Sequence, residues 1–397
     1  MNTTYDVIVV GSGPAGACAA WRLAKAGVPV AVLEKAPLPR YKTCGGGIVG
    51  RAMQALPMEV RRVVEQDCHT AQLNLLDAGL SFTTHRSTPI VSMTMRSRFD
   101  FAILSAAQSA GAAVHARCAV ENVSCHGDFV TIVTNGGAMR ARFVVAADGA
   151  LSTVARKMGL ADGRVLIPAL EYEVTIPPSR LETFHGTARF DVGLLPHGYA
   201  WTFPKQQHLS IGVLSMAQRK HDLKQTMAQY LGLLNCGSST QIERHGFVIP
   251  ISPRRGAFVE KRILLVGDAA GFADPVTGEG ISFAIRSGLL AAHALIDGQL
   301  DQDSVRNAYT GSVAETILPE LQRGRCLARL LYHFPRTRSW AFSRHGQRLS
   351  EAVTDVMAGK RQYRDLAFKP RTLLRLLSSK WLRNSAYRSA RPHDDRA

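Results

Sequence analysis

The chain has 397 residues, 46% of them hydrophobic, and contains no apolar run near the ~20 residues of a membrane span. This composition excludes an integral membrane protein and a disordered chain, and it predicts a soluble protein with a substantial core. Seven cysteines without a C-x-x-C pair argue against a disulfide framework or a structural zinc, so no metal site is expected. The first apolar run is a predicted strand rather than a signal peptide, and we expect a cytoplasmic protein.

The net charge of +17 is unevenly placed, with about twelve of these charges after Leu318. Aromatic residues lie among the basic ones, namely Trp340, Phe342, Tyr363, Phe368, Trp381 and Tyr387. This pattern favours an anionic membrane surface or a phosphorylated substrate, while the simplest alternative is a solvated basic face. No nucleic-acid motif accompanies the charge, so nucleic acid is not an expected partner.

The first predicted unit is a strand, a glycine turn, a helix and a second strand. Val7–Val10 leads into Gly11–Gly16, which reads G-S-G-P-A-G, and Val30–Leu33 ends on Glu34. An acid about 20 residues after such a turn can accept hydrogen bonds from ribose hydroxyls. The unit therefore predicts binding of the ADP half of a dinucleotide.

Each glycine of this turn has a structural role that a residue with a side chain could not fill. Gly11 allows the tight turn, Gly13 lets the main chain approach a pyrophosphate, and Gly16 lets the helix and strand pack closely. The helix that starts at Pro14 and Ala15 offers unpaired N–H groups and a positive dipole end to the phosphates.

Residues 36–48 form a predicted loop of proline, glycine and basic residues. Its consecutive glycines, beginning with Gly45 and Gly46, let the main chain approach a flat ligand closely. Arg51–Glu65 has the apolar spacing of an amphipathic helix, and a further helix is expected to open at Arg98.

Two further glycine–aspartate turns follow buried strands. The strand Ala141–Ala147 leads into Asp148 and Gly149. A short apolar strand, Ile263–Val266, leads into Gly267 and Asp268 and indicates the centre of a parallel sheet.

Together with the first unit, these turns resemble the para-hydroxybenzoate-hydroxylase-like FAD superfamily over about residues 5 to 300. The resemblance implies that Asp268 binds ribityl or ribose hydroxyls and that the loop at Asp148 faces both FAD and NAD(P)H. Arg40 and Arg98 look similar to arginines that touch the flavin's phosphate or ring. The full set of FAD-binding residues that it implies is Gly11, Gly13, Pro14, Ala15, Gly16, Glu34, Lys35, Arg40, Cys44, Gly45, Gly46, Arg98, Asp148, Gly149, Gly267, Asp268, Gly278, Gly280 and Ile281.

The segment Pro196–Pro204 reads P-x-x-Y-x-W-x-F-P and resembles the signature of the geranylgeranyl reductase family, as does the loop before it at residues 41–47. Alternation along a strand would put Tyr199, Trp201 and Phe203 on one face, a surface suited to a long apolar chain. The plainer interpretation is an aromatic core strand.

This resemblance implies an enzyme in which reduced FAD delivers a hydride to an isoprenoid double bond and an acid supplies the proton. The candidate acids are Cys44, Tyr199 and His197. Because no second G-x-G-x-x-G turn fits a separate nicotinamide-binding domain, NAD(P)H would bind only transiently as the electron donor. The expected substrate is a prenyl chain on a lipid, a quinone or a diphosphate.

Two other functions stay open from the sequence. A flavin monooxygenase on the same fold would hydroxylate an aromatic ring of a small molecule or a protein side chain. Halogenation is disfavoured because no W-x-W-x-I-P segment is present. A flavin-binding partner protein on membranes is the non-enzymatic alternative, and peripheral attachment to the inner face of the membrane is a further expectation.

The expected fold is α/β with two domains, in which a Rossmann-like FAD-binding domain is interleaved with a β-sheet substrate domain and followed by a helical basic C-terminal region. The expected boundaries are 1–80, 96–165 and 255–300 for the FAD-binding domain, 81–95 and 166–254 for the substrate domain, 301–388 for the helical region and 389–397 for a disordered tail.

Overall fold

Three β-sheets and a set of C-terminal helices organise the chain. The structure is a computed structural model and describes residues 4–160, 162–216, 221–237 and 241–366. The predicted α/β architecture is confirmed, with a Rossmann-like parallel sheet, a second sheet and a helical C-terminal region.

The first sheet has eight strands and a parallel centre. Its order is Val259–Glu260, Ile263–Leu265, Gly137–Ala146, Thr4–Val10, Val30–Glu34 and Ala113–Ala116, and the antiparallel strands Phe129–Thr134 and Val120–His126 extend it beside Gly137–Ala146. Val9 aligns with Val32 on one side and with Val145 on the other, and all three are fully buried. Strands buried on both faces are typical of a parallel sheet covered by helices.

Three long helices pack together beside the first sheet: Pro14–Lys25, Arg96–Ser109 and Ile281–Asp297. Pro14–Lys25 contacts the strands Thr4–Val10 and Val30–Glu34, and the other two helices pack on Pro14–Lys25. The first and third of these pack closely, because Gly288 lies directly against the main chain of Ala15, where a side chain would overlap it. This packing holds the N-terminal ends of both helices near the carboxyl ends of the parallel strands.

The second sheet has seven strands, in the order Gln241–Pro250, Leu166–Thr175, Leu209–Ser215, Gly198–Pro204, Thr187–Val192, Thr70–Leu75 and Leu80–His85. Thr70–Leu75 pairs in parallel with Thr187–Val192. Residues 70–75, which the sequence predicts in the FAD-binding domain, therefore belong to the second sheet. This pairing joins strands that are more than a hundred residues apart in the chain, and local patterning does not reveal it.

A third sheet joins Gly47–Val49, Val91–Met93 and Gln66–Cys68. The prediction of one helix over Arg51–Glu65, between the first and last of these strands, is wrong. A short helix, Gly50–Met53, is followed by the 3-10 helix Met58–Val63, with Pro57 between them. Pro57 has no N–H to continue a helix, which explains the break.

The described residues form seven further α-helices, and the last three of them are long. The seven are Thr153–Lys157, Pro178–Leu181, Leu223–Leu233, Gly267–Ala270, Gln302–Thr316, Leu318–His333 and Pro335–Met357, and there are 3-10 helices at Leu76–Ala78, Glu182–Phe184 and Tyr363–Leu366. Phe342 packs on Phe82 of the second sheet, with ring centroids 5.7 Å apart. Residues 367–388 and the tail 389–397 lie outside the described residues.

Candidate functional site

A cavity of about 610 Å³ lies between the carboxyl ends of the parallel strands and one face of the second sheet. The carboxyl ends contribute Gly11, Glu34, Asp148 and Asp268. Ligands of open parallel sheets bind at this edge, since the strand ends and helix N-termini meet there. The cavity is therefore the candidate active site.

The glycine turn of the first unit has the conformation that its role requires. Gly11 has a φ of +99°, and a side chain there would overlap the carbonyl of Ala147. A side chain on Gly16 would overlap the carbonyl of Gly11. The turn consequently brings the start of the helix Pro14–Lys25 to the cavity with its N–H groups free for an anion.

Glu34 is buried at the tip of its strand and is tied to the glycine turn. Its Oε2 accepts hydrogen bonds from Ser12 N (3.1 Å), Ser12 Oγ (2.6 Å) and Arg40 Nε (3.1 Å), and Oε1 accepts one from Ala36 N (3.0 Å). Burial alone would raise the pKa of Glu34, but Arg40 and these hydrogen bonds outweigh it and lower the pKa. Glu34 is thus a fixed carboxylate beside the expected ribose position.

Arg40 links this carboxylate to the neighbouring helix. Its Nη2 lies 3.2 Å from Asp100 Oδ2, while its Nη1 is buried and has no hydrogen-bond partner within the described residues. A buried guanidinium N–H without a partner is costly unless a ligand accepts from it. Arg40 lines the cavity with its Nη2 next to Gly13, so a phosphate held at the glycine turn would lie beside the guanidinium that carries the partnerless Nη1.

We expected Arg98 to line the cavity, but Arg96 lines it instead. Arg98 is exposed and lies 3.4 Å from Glu65, whereas Arg96 is buried, lines the cavity and makes a bidentate ion pair with Asp100. Both belong to the helix Arg96–Ser109. Two helical residues separate their directions by about 200°, so only one of them can face the ligand.

Sixteen of the nineteen predicted FAD-binding residues line the cavity. They are Gly11, Gly13, Pro14, Ala15, Glu34, Lys35, Arg40, Cys44, Gly45, Gly46, Asp148, Gly149, Asp268, Gly278, Gly280 and Ile281. Gly16 and Gly267 lie behind the wall of the cavity and allow close packing, and Arg98 points away from it.

The two downstream aspartates have different surroundings. Asp148 accepts hydrogen bonds from Ser152 Oγ (2.6 Å) and Val154 N (3.0 Å), so it fixes the loop that carries Gly149. Asp268 lines the cavity next to Gly280, at the start of the helix Ile281–Asp297. Burial raises the pKa of Asp268, and the nearby Lys42 partly offsets this.

The glycine loop, Gly45–Gly47, lies against the aromatic strand. A side chain on Gly45 would come within 2.9 Å of Phe203 and 2.8 Å of Trp201 Nε1. The fully buried Lys205 holds the loop from behind, since its Nζ donates to the carbonyls of Gly45 (2.7 Å) and Thr94 (2.9 Å). The loop can therefore approach a flat ligand with its main chain alone.

Tyr199, Trp201 and Phe203 all line the cavity from one face of the strand Gly198–Pro204. We call these three residues the aromatic wall. The rings of Trp201 and Phe203 have centroids 6.3 Å apart, and Tyr199 follows 6.1 Å from Trp201. Gly212 stands opposite Trp201 on the next strand, and the indole ring occupies the space that a side chain on Gly212 would fill.

The three candidate acids are not equivalent in the structure. His197 lies in a turn with a φ of +56°, outside the cavity, where its ring is 4.7 Å from that of His333. The Tyr199 hydroxyl donates to the Thr277 carbonyl, and burial raises its pKa well above the ordinary value. Cys44 lines the cavity with its thiol near Arg96.

Several titratable residues that line the cavity were not predicted from the sequence, among them Lys42 and Glu171. Lys42 places its Nζ 3.4 Å from the ring centroid of Phe247, and burial followed by the nearby Arg96 lowers its pKa to about 8. Glu171 is fully buried in Leu166–Thr175, the second strand of its sheet, and lines the cavity. A charged residue in a buried strand was the available signal, because such residues are rare without a partner or a function.

The residues present fit FAD on two observations, namely the partnerless Arg40 Nη1 and the glycine-lined approach at Gly11 and Gly13. The chain also matches the family model of the FAD binding domain over residues 4–197.

Curated relatives extend the likeness over most of the chain. The chloroplastic geranylgeranyl diphosphate reductase of Oryza sativa subsp. japonica is 32% identical over 316 residues, which are 74% of this chain and 66% of that protein. The menaquinone reductase of Mycolicibacterium smegmatis is 30% identical, covering 75% of this chain and 78% of that protein. Digeranylgeranylglycerophospholipid reductase 1 of Methanopyrus kandleri is also 30% identical, and the match covers 76% of this chain and 82% of that protein.

Solved structures share the fold. A geranylgeranyl bacteriochlorophyll reductase-like protein from Thermoplasma acidophilum superposes with a TM-score of 0.74 at 22% identity, covering 98% of this chain and 99% of that one. A flavin-dependent brominase superposes with a TM-score of 0.70, also at 22% identity, covering 90% and 94%. At these identities the structural likeness concerns the fold alone.

Proposed function

Because this chain belongs to the geranylgeranyl reductase family of FAD-dependent oxidoreductases, we propose that it saturates double bonds of a prenyl chain. The relatives are named for a prenyl diphosphate, a quinone and a phospholipid. The substrate is accordingly a prenyl chain attached to a polar head, and the head is one of these three types.

The observation that supports this proposal most strongly is the position of the aromatic wall. Its three rings form an apolar surface in the same cavity as Arg40, Glu34 and Asp268, the residues expected to hold FAD. A long hydrocarbon chain needs a dry, apolar surface beside the reacting atoms, because water competes with hydride and proton transfer.

A smaller cavity of about 60 Å³ adjoins the main one across Tyr199 and Phe190. It lies beneath the helix Pro335–Met357, and apolar side chains such as Leu73 and Leu75 line it. We assign it to the terminal carbons of the prenyl chain, which would gain about 0.8 kcal/mol for each CH₂ group removed from water.

When FAD is bound, it supplies the hydride that the reaction consumes. The helix start at Pro14 and the partnerless Nη1 of Arg40 would hold its pyrophosphate, while Glu34 would accept from the ribose. Asp268 and the loop at Gly45–Gly47 would hold the ribityl chain and the ring. NAD(P)H is the proposed transient donor.

A steady-state experiment tests this function. The holoenzyme is given NADPH with geranylgeranyl diphosphate, a menaquinone or a digeranylgeranyl phospholipid, and products are analysed by mass spectrometry. We expect a gain of two hydrogens for each double bond reduced with at least one of these substrates. An aromatic hydroxylase would instead leave every prenyl chain intact and consume oxygen when an aromatic compound is added.

The basic C-terminal helices form a surface suited to an anionic bilayer. Leu321–Ser350 contains seven arginines and no acidic residue, and all of these arginines except the buried Arg338 are exposed. Arg344 lies 5.0 Å from the ring centroid of Trp340, which is 45% exposed, and Phe334 is 51% exposed. Exposed aromatic and basic side chains together are typical of interfacial binding. Within the described residues, no helix has the length and hydropathy of a membrane span.

Liposome sedimentation tests this surface. We expect binding to vesicles that contain phosphatidylglycerol, weakening with salt, and no binding to pure phosphatidylcholine. Arg344→Glu should weaken binding. Arg306→Glu, on the helix Gln302–Thr316, serves as the matched control, and an equal effect of both would contradict a specific surface.

A further inference from the structure

Saturating a double bond requires a proton as well as a hydride, and the cavity must supply it repeatedly. Tyr199 has its hydroxyl proton engaged with the Thr277 carbonyl, and His197 lies outside the cavity. A renewable proton needs a titratable group in the cavity that is also connected to solvent. Glu171 meets both conditions.

Strand register places Glu171 beside the aromatic wall. Trp201 aligns with Gly212, and Gly212 aligns with Glu171 on the next strand, so these three residues form one row across the sheet. Directly opposite residues of antiparallel strands share a face. Because Gly212 has no side chain, none stands between Trp201 and Glu171 in this row, and both of these residues line the cavity.

Hydrogen bonds fix the Glu171 carboxyl. Its Oε2 accepts from Cys44 N (2.6 Å) and from the Tyr41 hydroxyl (3.3 Å), and its Oε1 accepts from Ser210 Oγ (2.8 Å). One carboxyl oxygen therefore reaches the loop beside Cys44, where the expected flavin site and the aromatic wall meet.

A chain of contacts leads from Glu171 to the surface. The Tyr41 hydroxyl is 3.3 Å from Glu171 Oε2 and 3.3 Å from Glu173 Oε1, so it lies between the two carboxyls. His208 Nε2 is 3.0 Å from Glu173 Oε2, and the His208 side chain is partly exposed. These four side chains form a chain of close contacts from the cavity to the partly exposed His208.

Charge balance in this cluster favours a held proton. Burial, followed by the nearby Glu173, raises the pKa of Glu171, and burial lowers the pKa of Lys205. The titratable and charged groups that face Glu171 from the elements packed against it are Tyr41, Cys44, Glu173, Lys205, His208 and His245. Two carboxyls that share one buried site do not readily ionise together.

We propose that Glu171 is the acid that protonates the substrate and that Tyr41, Glu173 and His208 relay its replacement proton from solvent. This inference rests on the proposed function. The substrate's π bond breaks and two C–H bonds form, one with the hydride of the reduced flavin and one with the Glu171 proton. Glu171, left as a carboxylate, takes the proton of Tyr41, and Tyr41 in turn takes a proton that Glu173 has received from solvent through His208.

Glu171→Gln tests the acid without removing its packing, because the amide can still accept from Cys44 N and contact Ser210. We expect FAD affinity and thermal midpoint to match those of the wild type. Single-turnover reduction of a prenyl substrate should slow at least ~100-fold, since general acids contribute about 10²–10⁴ to rate. The wild-type rate should fall as pH rises through the raised pKa of Glu171, and this limb should be absent in Glu171→Gln.

Two matched variants distinguish the loss of the proton relay from the loss of a negative charge as such. Glu173→Gln should leave the first turnover near the wild-type rate and slow later turnovers, because only proton replacement is impaired. Glu243→Gln removes an exposed carboxyl from the neighbouring strand and should change neither rate. In substrate-free protein, infrared difference spectra should show a protonated carboxyl band at neutral pH that Glu171→Gln lacks.

Three results are decisive. A wild-type enzyme that saturates prenyl chains alongside a Glu171→Gln variant with an unchanged rate and pH limb would overturn this inference and leave the function standing. The inference would also be overturned, with the function left standing, if the fall in rate with rising pH disappeared in Cys44→Ala and persisted in Glu171→Gln. A wild-type enzyme that reduces no prenyl substrate would overturn the proposed function, and the role of Glu171 with it.

Discussion

The indole of Trp201 lies across the main chain of Gly212, in the space that any side chain at position 212 would occupy. Their strands pair in antiparallel register, and the two residues stand directly opposite each other. The cavity floor therefore depends on one position without a side chain. This pairing lets an aromatic ring, a carboxyl and the glycine loop meet at one place.

Gly212→Ala should displace the indole and disturb the aromatic wall. We expect a loss of about 1–3 kcal/mol in the free energy of unfolding, as for other overpacked cores, and a marked loss of prenyl reduction. Gly232→Ala is the control, since Gly232 is exposed in the helix Leu223–Leu233 with open space around it, and it should be neutral or slightly stabilising. Urea unfolding and turnover report both effects, and an inactive or destabilised Gly232→Ala would contradict this explanation.

Arg40→Met should weaken FAD binding by about 10- to 100-fold. The change removes a charge-assisted hydrogen bond, worth about 1.5–3 kcal/mol, and deprives Glu34 and Asp100 of one of their partners. Arg98→Met should leave FAD affinity unchanged, because Arg98 is exposed and faces Glu65. Titration of the apoprotein with FAD checks both variants, and equal losses would show that the cavity has been assigned to the wrong arginine.

Trp201→Phe and Phe203→Leu should impair turnover while leaving FAD bound. Both changes shrink the aromatic wall, so we expect a larger effect on kcat for long prenyl chains than for short ones. Thr202→Ser is the matched control, because the Thr202 hydroxyl lies on the opposite face, 2.9 Å from that of Tyr230. Release of FAD by either wall variant would mean that these residues only support the core.

FAD affinity should fall as pH rises through about 8. Lys42 has its pKa lowered to about 8 by burial and by Arg96, so it is charged below that pH and neutral above it. The loss of one positive charge next to an anionic cofactor weakens binding. Dissociation constants across this range should show the trend in the wild type, but not in Lys42→Arg, which stays charged, and not in Lys42→Gln, which carries no charge. A trend that persists in Lys42→Gln would assign it to another group.

Local pattern was sufficient to predict the first unit and the aromatic wall. The glycine turn and Glu34 belong to one strand–helix–strand segment, and the alternation at Tyr199, Trp201 and Phe203 needs only an extended strand. Their roles with cofactor and substrate remain predictions.

Features that depend on long-range pairing could not be predicted. Glu171 reaches the cavity only because three strands align it with Trp201, and Thr70–Leu75 joins the second sheet through a parallel partner far along the chain. The choice between Arg96 and Arg98 depended on the rotation of one helix. His197 was misplaced because its turn directs the ring away from the strand that follows it.

An anaerobic single turnover tests the central claim most directly. The FAD-loaded enzyme is reduced, mixed with one equivalent of geranylgeranyl diphosphate or of a digeranylgeranyl phospholipid, and followed by flavin absorbance and product mass. We predict that the flavin reoxidises without oxygen as the prenyl chain gains two hydrogens. A flavin that stays reduced until oxygen is admitted, with every double bond intact, would contradict the account.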